Sequence, residues 1–149
     1  MGSDPNHLRY READPMYSFR RLICFWIFLV VTGVATAGDA ALDGLKFTGR
    51  AGEQGKGDHH DETIGFEGGL FRSPRCEKWG FRPAHYTVKK EGDSYHFAAT
   101  LTSSDRGTLE WRGTVKGGEA TATFRWIEKR WYSNIDRQYW FKGTRVSDR

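Results

Sequence analysis

Residues 91–126, EGDSYHFAATLTSSDRGTLEWRGTVKGGEATATFRW, decide the fold. Within them Tyr95, Phe97, Ala99 and Leu101 alternate with Ser94, His96, Ala98 and Thr100, the period-two pattern of a strand with one buried face. After Asp105-Arg106-Gly107 the pattern resumes with Leu109, Trp111, Gly113 and Val115 against Glu110, Arg112, Thr114 and Lys116. Lys116-Gly117-Gly118 turns the chain again, into Ala120, Ala122, Phe124 and Trp126 against Thr121, Thr123 and Arg125. Each break carries Gly, which supplies the positive φ that a tight hairpin requires.

The same arithmetic extends in both directions. Leu45 and Phe47 alternate with Lys46 and Thr48 after Asp43-Gly44; Ile64 and Phe66 lead to Glu67-Gly68-Gly69, and Leu70-Phe71-Arg72 returns. Tyr86 and Val88 run into Glu91-Gly92-Asp93, and a last strand is expected over 138–146, with Tyr139 and Phe141 on one face and Trp140, Lys142 and Thr144 on the other. The expectation is an all-β fold of about eight strands in successive hairpins. No amphipathic helix of ten or more residues is expected between them. A small antiparallel up-and-down barrel, lipocalin-like or avidin-like, is the reading, because closure removes exposed strand edges. An open β-sandwich is the alternative. A barrel of eight strands is just wide enough for side chains to fill it or for one small ligand to enter. The inward set Phe47, Phe66, Phe97, Trp111, Phe124, Trp126 and Phe141 is bulky enough to fill it.

Phe47-Thr48-Gly49, Trp111-Arg112-Gly113 and Phe141-Lys142-Gly143 repeat an aromatic residue two positions before Gly. A strand Gly on the aromatic's own face makes room for a neighbouring ring or a bend, so the repeat reads as a packing device.

The chain has 149 residues, of which 38% are hydrophobic and 15% aromatic, enough for the packed core of one domain. Phe19-Arg20-Arg21 precedes the apolar run Leu22–Val31 and the small residues Val34-Ala35-Thr36-Ala37, the three parts of a secretory signal, with cleavage expected after Ala37. Residues 1–15 read as a polar extension, 16–37 as the signal peptide and 38–149 as the barrel domain. Leu22–Ala37 is short for a membrane-spanning helix, which needs ~20 apolar residues. The mature chain is expected in the periplasm or secreted, free of the membrane. Its 19 Lys+Arg against 16 Asp+Glu are too mild an excess for a nucleic-acid binder. Only Cys76 survives cleavage, so no intrachain disulfide is expected there. It is read as a buried thiol without a catalytic part, although Arg72, Arg75 and Lys78 around it would lower its pKa if they faced it.

The pattern from Asp43-Gly44 through Phe71-Arg72-Ser73, Cys76, Gly80-Phe81, Trp111-Arg112-Gly113 and Tyr139-Trp140-Phe141-Lys142-Gly143-Thr144 resembles an uncharacterised group of short exported bacterial β-barrel-like proteins. No activity attaches to that group, so the resemblance implies export and a compact β fold only.

Two clusters could carry chemistry. Asp58-His59-His60-Asp61-Glu62, between the first two strands and flanked by Gly52, Gly55 and Gly57, makes His59, His60 and Asp61 candidate metal ligands. Adjacent residues of an extended segment point to opposite faces, so the two imidazoles could chelate together only through a special turn. Otherwise the segment is a solvated loop. The second cluster interleaves cations with rings. Arg130, Trp131, Tyr132, Trp140 and Lys142 form a candidate ligand-binding surface, since rings stack on planar groups while cations hold anions. There is no nucleophile elbow, HExxH or P-loop spacing, and no cofactor is called for. The functional expectation is a non-enzymatic barrel that binds a small ligand or a partner protein through its mouth and that surface. The alternative is an enzyme using Cys76, with or without His85, or a metal at His59 and His60.

Overall fold

The computed structural model describes residues 40–147. The expected extension, signal segment and cleavage site lie outside the described residues. Among these, eight antiparallel strands form an up-and-down barrel: β1 (Lys46–Glu53), β2 (His59–Glu67), β3 (Leu70–Arg72), β4 (Ala84–Glu91), β5 (Ser94–Ser103), β6 (Gly107–Lys116), β7 (Glu119–Lys129) and β8 (Asn134–Arg145). Each strand pairs with its sequence neighbour, and β1 pairs with β8 from Phe47↔Arg145 to Glu53↔Tyr139. That last ladder closes the sheet and overturns the open-sandwich alternative. A five-residue helix, α1 (Pro74–Lys78), interrupts the β3 to β4 connection. No helix among the described residues is long and apolar enough to cross a membrane.

Two boundaries differ from the sequence reading. Asp58–Glu62 is not a loop, because from His59 onward it is the first half of β2, paired with β1 through Gly52↔His59 and Gly49↔Glu62. β8 starts four residues early because Asn134–Arg137 pairs with Trp126–Lys129, although Asp136 and Arg137 break the apolar alternation. Cross-strand polar contacts substitute for apolar ones in this stretch. The Arg125 guanidinium donates to Asp136 Oδ1 at 2.7 Å and to Asp136 Oδ2 at 2.5 Å on the outer face.

The two ends of the barrel are built differently. At one end β2–β3, β4–β5 and β6–β7 are joined by tight turns, with positive φ at Gly68, Gly69, Gly92, Gly117 and Gly118. Leu42, fully buried, seals this end from a turn preceding β1, and the Asp43 carboxylate accepts from Tyr86 Oη at 2.8 Å and from the Gly69 amide at 2.9 Å. Longer segments gather at the opposite end: 54–58, α1 with its flanks, 104–106 and 130–133.

Rings fill the closed end and the middle. Phe66 packs edge-on to Phe97 at 5.0 Å, Phe71 lies 5.1 Å from Trp111, Trp111 stacks on Phe124 at 4.0 Å, and Phe124 stacks on Tyr139 at 4.8 Å. The interior below Phe124 is therefore an aromatic core, and any internal ligand space lies above it.

Candidate functional site

Above Phe124 and Tyr139 the open end holds a cavity of about 270 Å³. Its walls come from five places in the chain: His60 and Glu62 on β2, Leu109 on β6, Phe124 and Trp126 on β7, Arg137 and Tyr139 on β8, and Arg75, Cys76, Trp79 and Phe81 in and after α1. The strand residues arrive by alternation. His60, Glu62, Ile64 and Phe66 all share the inward face of β2, so the half of this strand nearest the mouth places an imidazole and a carboxyl where the other half places apolar side chains.

α1 is fixed locally by sequence. Ser73 sits extended at the N-cap and Pro74 occupies the first turn, where no amide donor is required. Ser73 Oγ accepts from the Cys76 amide at 3.1 Å and donates to Glu62 Oε1 at 2.9 Å. One hydroxyl thus caps the helix and ties it to β2. Glu62 is only 3% exposed, and its Oε1 also accepts from the Thr63 amide at 3.1 Å. Burial pushes its carboxyl above the ordinary carboxylate value, against the lowering effect of the Ser73 and Thr63 hydrogen bonds. His60 Nε2 stands 3.6 Å from Glu62 Oε2, and burial, reinforced by the Arg75 charge, lowers the imidazole's pKa. Both changes favour the neutral forms.

Aromatic walls flank this polar pair. Trp79 is 48% exposed at the rim, edge-on to Trp126 at 6.4 Å, with the Arg106 guanidinium over its ring at 5.4 Å. Trp126 Nε1 donates to the Arg106 carbonyl at 2.8 Å, which fixes the indole at the wall. Arg137 Nη1 lies 3.6 Å from Glu53 Oε2, whose closer partner is Lys56 Nζ at 3.0 Å.

The residues expected to form a binding surface are not brought together. Trp131, 96% exposed, and Tyr132 sit edge-on at 5.2 Å in the β7–β8 turn at the rim of the mouth. Arg130 is occupied within that turn, pairing with Glu128 and donating to Tyr132 Oη at 3.1 Å. Trp140 and Lys142 lie on the outer wall, opposite Thr123 and Thr121 of β7. Trp140 is six residues from Asn134, about 20 Å from the turn at ~3.3 Å per residue. Its indole covers Gly52, where an added Cβ would meet Trp140 Nε1 at 3.1 Å. The five residues are a turn and a separate outer patch, divided by the length of β8. Trp131→Ala and Tyr132→Ala are each expected to shift the thermal midpoint by no more than about 2–4 °C, since surface changes fall within ~0.5 kcal/mol at ~4–8 °C per kcal/mol. A drop above ten degrees in differential scanning fluorimetry would show that these rings carry the fold.

The metal candidates separate in the same way. His59 and Asp61 point outward and His60 inward on one strand. His59 Nδ1 is 3.0 Å from the Gly57 carbonyl, and Asp61 faces Arg50 at 3.6 Å. No group of three or more His, Cys, Asp or Glu side chains is placed to hold a metal ion among the described residues. Cys76 is buried, as expected, and burial pushes its thiol up to about 12. The neighbouring cations do not win, because desolvation outweighs the Arg75 charge. His85 is far from it in the fold, with Nδ1 3.2 Å from the Gly69 carbonyl at the closed end.

Sequence reasoning did not place Glu62, Arg75 or Trp79 at a cavity: Glu62 stood only in the Asp58–Glu62 cluster and Arg75 only beside Cys76. The alternation of His60, Glu62, Ile64 and Phe66 was the legible signal for Glu62; nothing local marked Arg75 or Trp79. Comparison with known proteins finds no matching family model, no similar curated protein and no similar solved structure.

Proposed function

We propose that the open end of the barrel binds a small ring-containing molecule, and that binding rather than catalysis is the activity. One observation carries this reading: a filled barrel retains a cavity of about 270 Å³ at its looped end, walled by Trp79, Phe81, Leu109, Phe124, Trp126 and Tyr139 around a few polar groups. Apolar and aromatic walls with a small number of fixed polar groups are the usual composition of small-molecule sites, and barrel mouths are a usual place for them. The volume lies just below the ~300–1,000 Å³ typical of such sites, which limits the occupant to a fragment of one or two rings. Loops supply the rim and strands the floor, so the rim can vary while the fold persists.

The test is an amide and indole chemical-shift titration with a panel of one- and two-ring compounds. Hits are expected to move the Trp79 and Trp126 indole N–H signals together with the Arg137 resonances, and Trp126→Ala should weaken them about thirtyfold or more, as for an aromatic contact of at least ~2 kcal/mol. Shifts confined to Trp131 and Tyr132, or none across the panel, would overturn the assignment.

A further inference from the structure

The charges around this cavity do not balance. Arg75 and Arg137 line it directly, and the Arg106 guanidinium lies over its Trp79 wall. Against them stand Glu62, within the cavity, Glu53, behind Arg137, and Asp105, whose carboxylate offsets Arg106 and leaves Arg75 and Arg137 to account for the excess. Glu62 already spends Oε1 on Ser73 and Thr63, and its burial disfavours the charged form. Glu53 is held by Lys56 at 3.0 Å, while Arg137 reaches it only at 3.6 Å, beyond hydrogen-bond range. Arg75 makes no ion pair with a carboxylate among those found in the described residues, and its charge acts on His60, Glu62 and Cys76. His60, with its lowered pKa, favours the neutral form and adds little to the positive charge.

A guanidinium beside an aromatic wall offers a planar fork matched to a carboxylate and a stacking face for the attached ring. Resting on the reading of the mouth as a ligand site, we propose that its ligand is a small aromatic carboxylate, its ring against the wall that Trp79 and Trp126 form together and its carboxylate held by Arg137 and Arg75. Glu62 and His60 then form the polar floor. A cationic ligand would meet two guanidiniums at the rim before it reached Glu62.

Calorimetric titration of the full chain with naphthalene-2-carboxylate, naphthalene-2-carboxamide and 2-naphthylmethylamine separates the alternatives, because the three share a ring system and differ in charge. The carboxylate is expected to bind at least about tenfold more tightly than the amide, which is ~1.4 kcal/mol, and the amine most weakly. Arg137→Gln and Arg75→Gln should each reduce that preference, while Lys142→Gln, on the outer wall, leaves it intact. Amide or amine binding as tight as the carboxylate would overturn the anion assignment and leave the aromatic site standing. Loss of the preference in Lys142→Gln would also overturn it, moving recognition to the outer wall. Failure of all three compounds to bind would defeat the reading of the mouth as a site.

Discussion

Trp111→Ala is expected to lower stability by ~3–5 kcal/mol, the usual range for deleting a fully buried large aromatic. At ~4 °C per kcal/mol this is a fall of about 12–20 °C in the thermal midpoint. Trp111 is 1% exposed and joins three rings: Phe124 stacked at 4.0 Å, Phe71 at 5.1 Å and Phe141 edge-on at 6.4 Å. Its removal leaves a cavity in the middle of the barrel that strands tied into a closed ladder cannot collapse to fill. Trp111→Phe is the informative companion. The indole Nε1 is buried with no hydrogen-bond partner, and an unmet donor of this kind costs ~1–3 kcal/mol. Phenylalanine removes that donor and keeps most of the ring contact, so the variant is expected to lie within about 1 kcal/mol of the parent. Equal losses for the two variants, measured by urea unfolding, would show that the indole is satisfied and that its outer ring carries the packing.

Gly49→Ala should open the seam where the barrel closes. Gly49 and Gly143 face each other across β1 and β8, and a Cβ on Gly49 would stand 2.0 Å from the Lys142 carbonyl oxygen and 2.4 Å from Gly143 Cα. Both are backbone atoms, so no rotamer change relieves the clash and the strands must separate. The expected loss is ~3 kcal/mol or more, at or beyond the upper end of overpacking, with amide exchange accelerating first along β1 and β8. Two unpaired edges would then be exposed, and self-association should accompany the loss. Gly65→Ala is the control, since its nearest atom, the Leu45 carbonyl oxygen, is 3.8 Å away. That variant should stay within ~0.5 kcal/mol of the parent. If Gly49→Ala melts with Gly65→Ala, the aromatic-x-Gly repeat has no packing role at the seam.

These glycines show how far a local pattern reaches. The recurrence of Phe47-x-Gly49, Trp111-x-Gly113 and Phe141-x-Gly143 reads as packing in the linear chain, and each glycine does stand where a Cβ would strike a neighbouring strand or ring. A side chain at Gly113 would meet Phe97 at 2.6 Å, a contact between β5 and β6 that hairpin neighbours make inevitable. The partner of Gly49 is Gly143, at the far end of the domain's sequence on β8. Only closure of the sheet brings them together.

By itself the sequence determined most of each strand, the tight Gly turns and the inward aromatic set, because period-two burial and positive-φ turns are properties of a few consecutive residues, whereas the starts of β2 and β8 rest on pairing across the ladder with β1 and β7. It grouped as one surface residues that the fold keeps apart, for a physical reason. Trp131, Tyr132 and Trp140 are close in sequence and rich in rings, but a strand carries residues apart at ~3.3 Å each and puts alternate side chains on opposite faces. Tertiary structure alone decided the mouth. His60 and Glu62 line one cavity with Arg137 because β1 lies between β2 and β8 in a closed ring. Trp79 meets Trp126 because Ser73 ties the short helix to a buried carboxyl on β2. Such a site is assembled by ladder register and barrel closure, which depend on pairings between distant strands and leave no mark on any single stretch of chain.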